Sequence, residues 1–144
     1  MDKKIIREKL IQKLMENEAK PLKINAGVLI KCTKTGNVLL LLRNDPVPTW
    51  ALVSGGIGKG EDVLEGLKRE IYEEMFVNPA TIDFKFKRVE KFPEKNMEFH
   101  YYEGFTMSEF KPILDEENLN YGWFNKEKLP QPLFRGLDQK IANI

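Results

Sequence analysis

The chain has 144 residues, 23 Lys+Arg against 22 Asp+Glu, one His, one Cys and 42% hydrophobic residues. That length suits one domain with a single substantial core, and a formal net charge of +1 argues against stable binding of nucleic acid through bulk positive charge. A lone Cys32 excludes an internal disulfide and a Cys-built zinc site, and the longest apolar run, Val38–Leu42, is too short to cross a membrane.

The opening residues Met1–Lys9 interleave charges and lack the apolar stretch of a secretory signal, so a cytoplasmic setting is expected. Residues 3–19 carry Ile6, Leu10 and Leu14 at four-residue spacing, with Ile11 and Met15 beside them. This predicts an amphipathic helix with a Lys-rich outer face, packed on the domain or on a partner copy. Residues 1–20 then form an N-terminal helix and 21–144 the domain. Leu22–Cys32 reads as a strand, Lys34–Asn37 as a turn and Val38–Arg43 as a buried strand. Pro46 and Pro48 make residues 44–49 a loop.

A Gly-rich turn at Gly55–Gly60 leads into a helix over Val63–Met75, with Asp62 and Glu65 in N-cap and N3 spacing. Ile82, Phe84 and Phe86 alternate with charged residues, as a half-buried strand does. Lys91–Asn96 is a turn, and Met97–Phe105 a partner strand with Phe99 and Tyr101 on one face. Tyr121–Phe124 is a short strand and Leu133–Ile141 a closing helix. The pattern predicts an α/β fold of the α+β type, a mixed sheet between helices.

The central helix carries the chemistry. At about 100° per residue, Val63, Leu64, Leu67, Ile71 and Met75 share an apolar arc. Glu74 falls inside it, Glu70 at its edge and Glu73 a little further round. Carboxylates three and four residues apart repel one another, and burying one unpaired costs several kcal/mol. Arg69 alone cannot neutralise three. Clustered hard oxygen ligands suit Mg²⁺ or Mn²⁺. A solvated Glu-rich face is the plain alternative, but Gly55, Glu61, Arg69, Glu70, Glu73 and Glu74 form a long gapped pattern. Its chance occurrence at this composition is about one chain in 10⁴.

These residues resemble the Nudix box, G-x5-E-x7-R-E-U-x-E-E-x-G-U with U a bulky aliphatic residue. Gly55, Glu61, Arg69, Glu70, Ile71, Glu73, Glu74 and Val77 match it. Trp50–Gly55 resembles the approach to the box in MutT-like members, and Glu117–Phe124 with Leu129–Pro130 resembles the closing strand and the turn after it. The chain departs from the pattern at Phe76, where a Gly usually ends the helix, so the helix is expected to run on toward Asn78. It also departs at Val53 and Ser54, and at Gly58, where many members carry Glu.

The resemblance implies the Nudix fold and a metal-dependent hydrolase cleaving nucleoside diphosphates linked to another group. Glu70 and Glu74 are then the principal metal ligands, with Glu73 and the Ser54 backbone carbonyl as further ones. Arg69 orients the glutamates, and Glu61 supports the loop. The general base is Glu70 or a carboxylate from another segment, such as Glu98, Glu103 or Glu117. Arg43, Trp50 and Glu117 are candidate substrate contacts, with Phe92 and Tyr102 as other stacking candidates, and His100 is read as structural. Gly66 either leaves room for phosphates or packs closely. Pro93, sixteen residues after Val77, resembles a proline of some ADP-ribose-cleaving members and tilts the reading toward ADP-ribose or nucleotide sugars. A (d)NTP pyrophosphohydrolase, a non-catalytic nucleotide sensor and an interaction domain built on the N-terminal helix are the competing readings. The expected partner is a nucleotide derivative, with no membrane and a homodimer allowed.

Overall fold

The structure is a computed structural model describing residues 2–19 and 21–144. Met1 and Lys20, the latter at the expected boundary between helix and domain, lie outside the described residues. In chain order the elements are α1 (Lys3–Ala19), β1 (Lys23–Cys32), β2 (Val38–Arg43), β3 (Trp50–Ala51), β4 (Val53–Gly56), α2 (Val63–Met75), β5 (Asp83–Phe92), β6 (Met97–Thr106), β7 (Asn118–Phe124) and α3 (Leu137–Asn143). Short 3-10 turns at Pro79–Thr81 and Pro93–Lys95 flank β5.

The strands form one mixed sheet centred on β1. On one side β1 runs parallel to β6 along its whole length, from Lys23↔Met97 to Cys32↔Thr106, and β5 pairs antiparallel with β6 beyond it. On the other side two strands share β1. Its first half pairs with β4, Asn25↔Gly56 to Val28↔Val53, and its second with β2 at Ile30↔Leu39 and Lys31↔Val38. The two partners diverge near Leu29, so the sheet forks there. β2 then pairs with β3 and β7.

Both faces of the centre are covered, which is why β1 and β2 read as continuous apolar runs rather than alternating ones. Ala26, Val28 and Ile30 join Leu67, Ile71 and Met75 of α2 in one core. Leu29, Val38, Leu40 and Tyr101 join Leu137 and Ile141 of α3 in the other. Leu67, Ile71 and Met75 are fully buried, each worth about 1.5–3 kcal/mol of burial, and this anchors the helix that carries the carboxylates. The mixed sheet between helices is the fold the sequence predicted.

Several local expectations are corrected. The stretch read as an approach and a Gly-rich turn contains β3 and β4, which takes in Gly55 and Gly56. Phe86 is exposed rather than half-buried although it stays in register with Tyr102, and just beyond it the ladder slips by one residue, between Phe86 and Arg88. The closing helix begins at Leu137, since Leu133 bridges to Trp50.

Helix α1 forms as predicted, but Ile6, Leu10, Ile11, Leu14 and Met15 all stay exposed. Among the described residues it therefore does not bury the apolar face expected of it. At about 100° per residue, Lys3, Arg7 and Lys4 fall between the directions of Leu10, Leu14, Ile11 and Met15, so no clean apolar stripe exists.

Helix α2 starts as predicted, with the Asp62 side chain accepting from Glu65 N at 3.1 Å. It does not run on toward Asn78. Phe76 takes a left-handed conformation (φ 55°, ψ 38°), donating its N–H to Tyr72 O at 2.9 Å. The cost of a left-handed Phe is outweighed because the neighbouring carbonyls are taken by a distant loop: Asp115 N donates to Glu74 O at 3.2 Å and Ile113 N to Met75 O at 2.8 Å. The turn also buries Val77. Phe76 itself is exposed and tilts against Tyr72 at 5.2 Å between ring centres. Phe76→Gly should raise the urea midpoint by the equivalent of about 0.5–1 kcal/mol, the relieved strain exceeding the lost ring contact; a lower midpoint would contradict this account of the helix end.

Candidate active site

Helix α2 projects its carboxylates toward the loop that precedes it, and one guanidinium gathers them. Arg69 Nε donates to Glu61 Oε2 at 2.8 Å and Nη2 to Glu61 Oε1 at 3.0 Å. Its Nη1 reaches Glu70 Oε1 and Glu73 Oε2, each at 3.0 Å, and Nη2 also donates to Gly56 O at 3.1 Å. Glu61 Oε1 additionally accepts from Gly58 N at 2.9 Å. Arg69 hydrogen bonding, followed by the Gly58 N–H, holds the Glu61 carboxyl down at about 2.

Two glycines make this packing feasible. A Cβ on Gly55 would lie 2.3 Å from Glu70 Cδ, so only glycine lets the Glu70 carboxyl lie against the strand. A Cβ on Gly66 would lie 2.7 Å from Glu61 Oε1 and 2.8 Å from Ile57 Cδ1. Of the two roles open to Gly66, close packing of the loop on the helix is the one observed.

Glu74 is different. It is buried, and none of the ion pairs among the described residues includes it. Its ionisable neighbours are Glu117, Glu70 and Asp115, and burial followed by the Glu117 carboxyl pushes it up to about 9. Burial also raises Glu70, against the opposing pull of Arg69. Glu73 stays half exposed.

A cleft of about 560 Å³ opens at the fork of the sheet, lined by Arg43 from β2, Ser54, Gly55 and Gly56 from β4, Glu74 from α2, and Glu117. It brings together five predicted residues from distant segments: Arg43, Ser54, Gly55, Glu74 and Glu117. Arg43 donates from Nε to Asp45 Oδ2 at 2.7 Å. Glu117 is the one of the three alternative base candidates in this cleft. Glu103 is buried beside Lys87 at 3.7 Å, and Glu98 pairs with His100 at 3.4 Å.

Trp50 lines neither this cleft nor the one adjoining it toward α3. It packs into the α3-side core, edge-on to Phe124 at 5.1 Å. Tyr102 is core as well. Asn25, Asn44 and Asn118 also line the cleft and were not singled out from the sequence, because polar residues near turns carry no signal without the topology.

Among the described residues, no three His, Cys, Asp or Glu side chains surround a common point closely enough to hold an ion as they stand. Arg69 draws Glu70 and Glu73 toward itself. The donor chemistry nevertheless fits a hard divalent cation: Glu74, Glu70 and Glu117 are oxygen donors facing one another, and the buried member has no positive partner.

Residues 21–143 match the family pattern described as the NUDIX domain. No curated protein matches the chain. Solved structures similar to it include a Caenorhabditis elegans Ap4A hydrolase binary complex, at 19% identity and TM-score 0.70, covering 83% of this chain and 93% of that one. An Escherichia coli dihydroneopterin triphosphate pyrophosphohydrolase has 22% identity and TM-score 0.62, covering 75% of this chain and 85% of that one. A Streptococcus suis ADP-ribose pyrophosphatase has 19% identity and TM-score 0.61, covering 85% and 88% respectively. At these identities the likeness is one of fold.

Since the folded Glu74 holds its proton up to about 9 and an unfolded Glu releases it near 4.3, the native state binds the extra proton between those values. Stability of the metal-free protein should therefore fall as pH rises across that window. Glu74→Gln should flatten the slope in urea titrations in EDTA; an unchanged slope would reject this assignment.

Proposed function

This chain belongs to the Nudix family and is a hydrolase of phosphorus-containing acid anhydrides, and from that premise we propose that it cleaves the pyrophosphate linkage of a nucleoside diphosphate joined to another group, of the ADP-ribose or nucleotide-sugar type. The observation that carries the proposal is the buried Glu74 carboxyl, which lines the cleft with Glu117, lies near Glu70 and makes no ion pair among the described residues. No box carboxylate is missing, which argues against a nucleotide sensor that only binds.

Glu70 and Glu74 would hold Mg²⁺ or Mn²⁺, with Glu117 across the cleft, Ser54 beside it, and Glu73 further out on the exposed flank. Such an ion neutralises the bridging phosphates and makes an attacking water more acidic. The residues of the chain do the rest. Arg69 keeps Glu61, Glu70 and Glu73 in register through its hydrogen bonds to all three. Glu117, opposite Glu74, is positioned to accept a proton. Arg43, on the cleft wall, has Nη groups bonded to no other described residue and would offer them to a phosphate. Among the described residues no helix is long and apolar enough to cross a membrane.

A panel of ADP-ribose, nucleotide sugars, dinucleoside polyphosphates and dNTPs with Mg²⁺ tests the proposal. Nucleoside monophosphate should be released from the first two, and EDTA should stop it. Preferential release of pyrophosphate from dNTPs would shift the assignment to a triphosphate pyrophosphohydrolase. Glu74→Gln should lower kcat by a factor of about 10² or more with an unchanged far-UV spectrum, and undiminished turnover would remove Glu74 from the site. In wild type, ion binding at pH 7 should release close to one proton from Glu74, read from the buffer dependence of the binding heat.

A further inference from the structure

Glu117 comes to the cleft from the end of an exposed loop, yet its backbone is held from both walls. Residues 107–117 join β6 to β7. On the α2 side of this loop Ile113 N donates to Met75 O at 2.8 Å and Asp115 N to Glu74 O at 3.2 Å. Within the loop the Asp115 side chain accepts from Glu117 N at 3.0 Å, an Asx turn that fixes the two residues relative to each other. From the β2 side a single residue supplies the rest. Asn44 N donates to Glu117 O at 2.9 Å, and Asn44 Nδ2 donates to Glu116 O at 3.0 Å.

A β-bulge brings these residues level. Between β2 and β7 the pairing runs from Val38↔Phe124 to Leu42↔Asn120 and then shifts to Arg43↔Asn118. Leu119 is the extra residue, and it stays exposed. Without it Asn118 would stand opposite Asn44. With it Glu117 does, and its carbonyl meets the Asn44 N–H. Glu117 then lines the cleft and its carboxyl meets that of Glu74. The bulge thus sets which residue arrives, and the Asn44 side chain secures the turn that carries it. An amide is suited to this: aspartate in its place would turn an oxygen toward the Glu116 carbonyl, and alanine would offer no donor.

We propose that Asn44 is a positioning residue, holding Glu117 in the cleft opposite Glu74 through its two hydrogen bonds to the backbone of residues 116 and 117. The proposal deepens the hydrolase reading above and rests on it for what Glu117 does during turnover. Both bonds go to backbone carbonyls, so the effect of Asn44 passes along the chain to Glu117. One hydrogen bond of ordinary strength corresponds to about a fivefold change in rate, the size expected of a misplaced group rather than a missing one.

Two measurements on the full chain test this. The first is amide hydrogen exchange in EDTA without substrate. In Asn44→Ala the amides of residues 44 and 117 should exchange about threefold faster or more, while that of Asp115, bonded to α2, should stay within about twofold of wild type. The second is steady-state kinetics with Mg²⁺ and the best substrate of the panel. Asn44→Ala should lower kcat by about fivefold and leave KM within about twofold, and Asn44→Asp should do the same. In a Glu117→Gln background, where the group it places is already altered, Asn44→Ala should lower kcat by less than about 1.5-fold.

Unchanged exchange at both amides would overturn the proposal. So would an equal fall in kcat in the two backgrounds, which marks a purely structural role, or a loss confined to KM. If Glu117→Gln turns over too slowly to follow, the exchange rates and the split between kcat and KM decide. A wild-type protein that cleaves nothing in the panel would strike the hydrolase reading instead, and the exchange experiment, run without ion or substrate, would still show whether Asn44 holds Glu117.

Discussion

The arrangement of the site depends on one guanidinium facing three carboxylates. Arg69 satisfies both oxygens of Glu61 and one each of Glu70 and Glu73, and it reaches the Gly56 carbonyl besides. A planar group with a fixed fork of donors can tie a loop, a strand and a helix together in this way; a lysine ammonium has no such geometry. Without it the acidic flank of α2 would repel itself, and the loop carrying Glu61 would have no partner for its charge. Arg69 leaves out Glu74, and that exclusion gives the site its character. Three carboxylates are settled by protein, and a fourth is buried and left for something else to settle.

The backbone serves the same end. Helix α2 is fixed by Leu67, Ile71 and Met75 against the sheet, and its last carbonyls are capped by the segment that leads to Glu117. The Asp115 N–H on Glu74 O therefore ties the loop bearing Glu117 to the helix bearing Glu74. Two acidic groups separated by more than forty positions in sequence are brought face to face by a backbone bond made next to both. The left-handed Phe76 is part of the same construction, because the helix has to end where that loop arrives.

Much of this was legible in the chain. The gapped pattern from Gly55 to Glu74 identified the helix, its cap at Asp62 and the acidic flank, since these depend on local spacing alone. Arg43 and Glu117 were named as candidates, but only the topology brings them into one cleft. Two residues were misjudged for physical reasons. Phe76 was expected to prolong the helix because its own preference said so; tertiary hydrogen bonds to Glu74 and Met75 decided otherwise. Trp50 is a candidate substrate contact by residue type, with packing as its plainer reading, and its short edge strand turns it into the α3-side core. The stacking of Arg43 on Phe134 carried no signal at all, as only the topology brings β2 over that ring. The apolar spacing of α1 looked regular along the chain, yet wound into a helix it alternates with cations.

The fork in the sheet has a consequence for how this architecture tolerates change. Because β2 and β4 leave β1 in different directions, the cleft opens between them, and the segment joining Arg43 to Trp50 is tied only at its base, by Arg43 N to Thr49 O at 3.0 Å and Asn44 N to Glu117 O at 2.9 Å. Its middle, residues 45–48, can lengthen, shorten or change composition while every strand pairing along β1 stays intact. The acidic helix is pinned by core packing, whereas residues 45–48 at the rim of the cleft take no part in the ladders. Sequence drift at this rim therefore leaves the acidic flank of α2 where it stands.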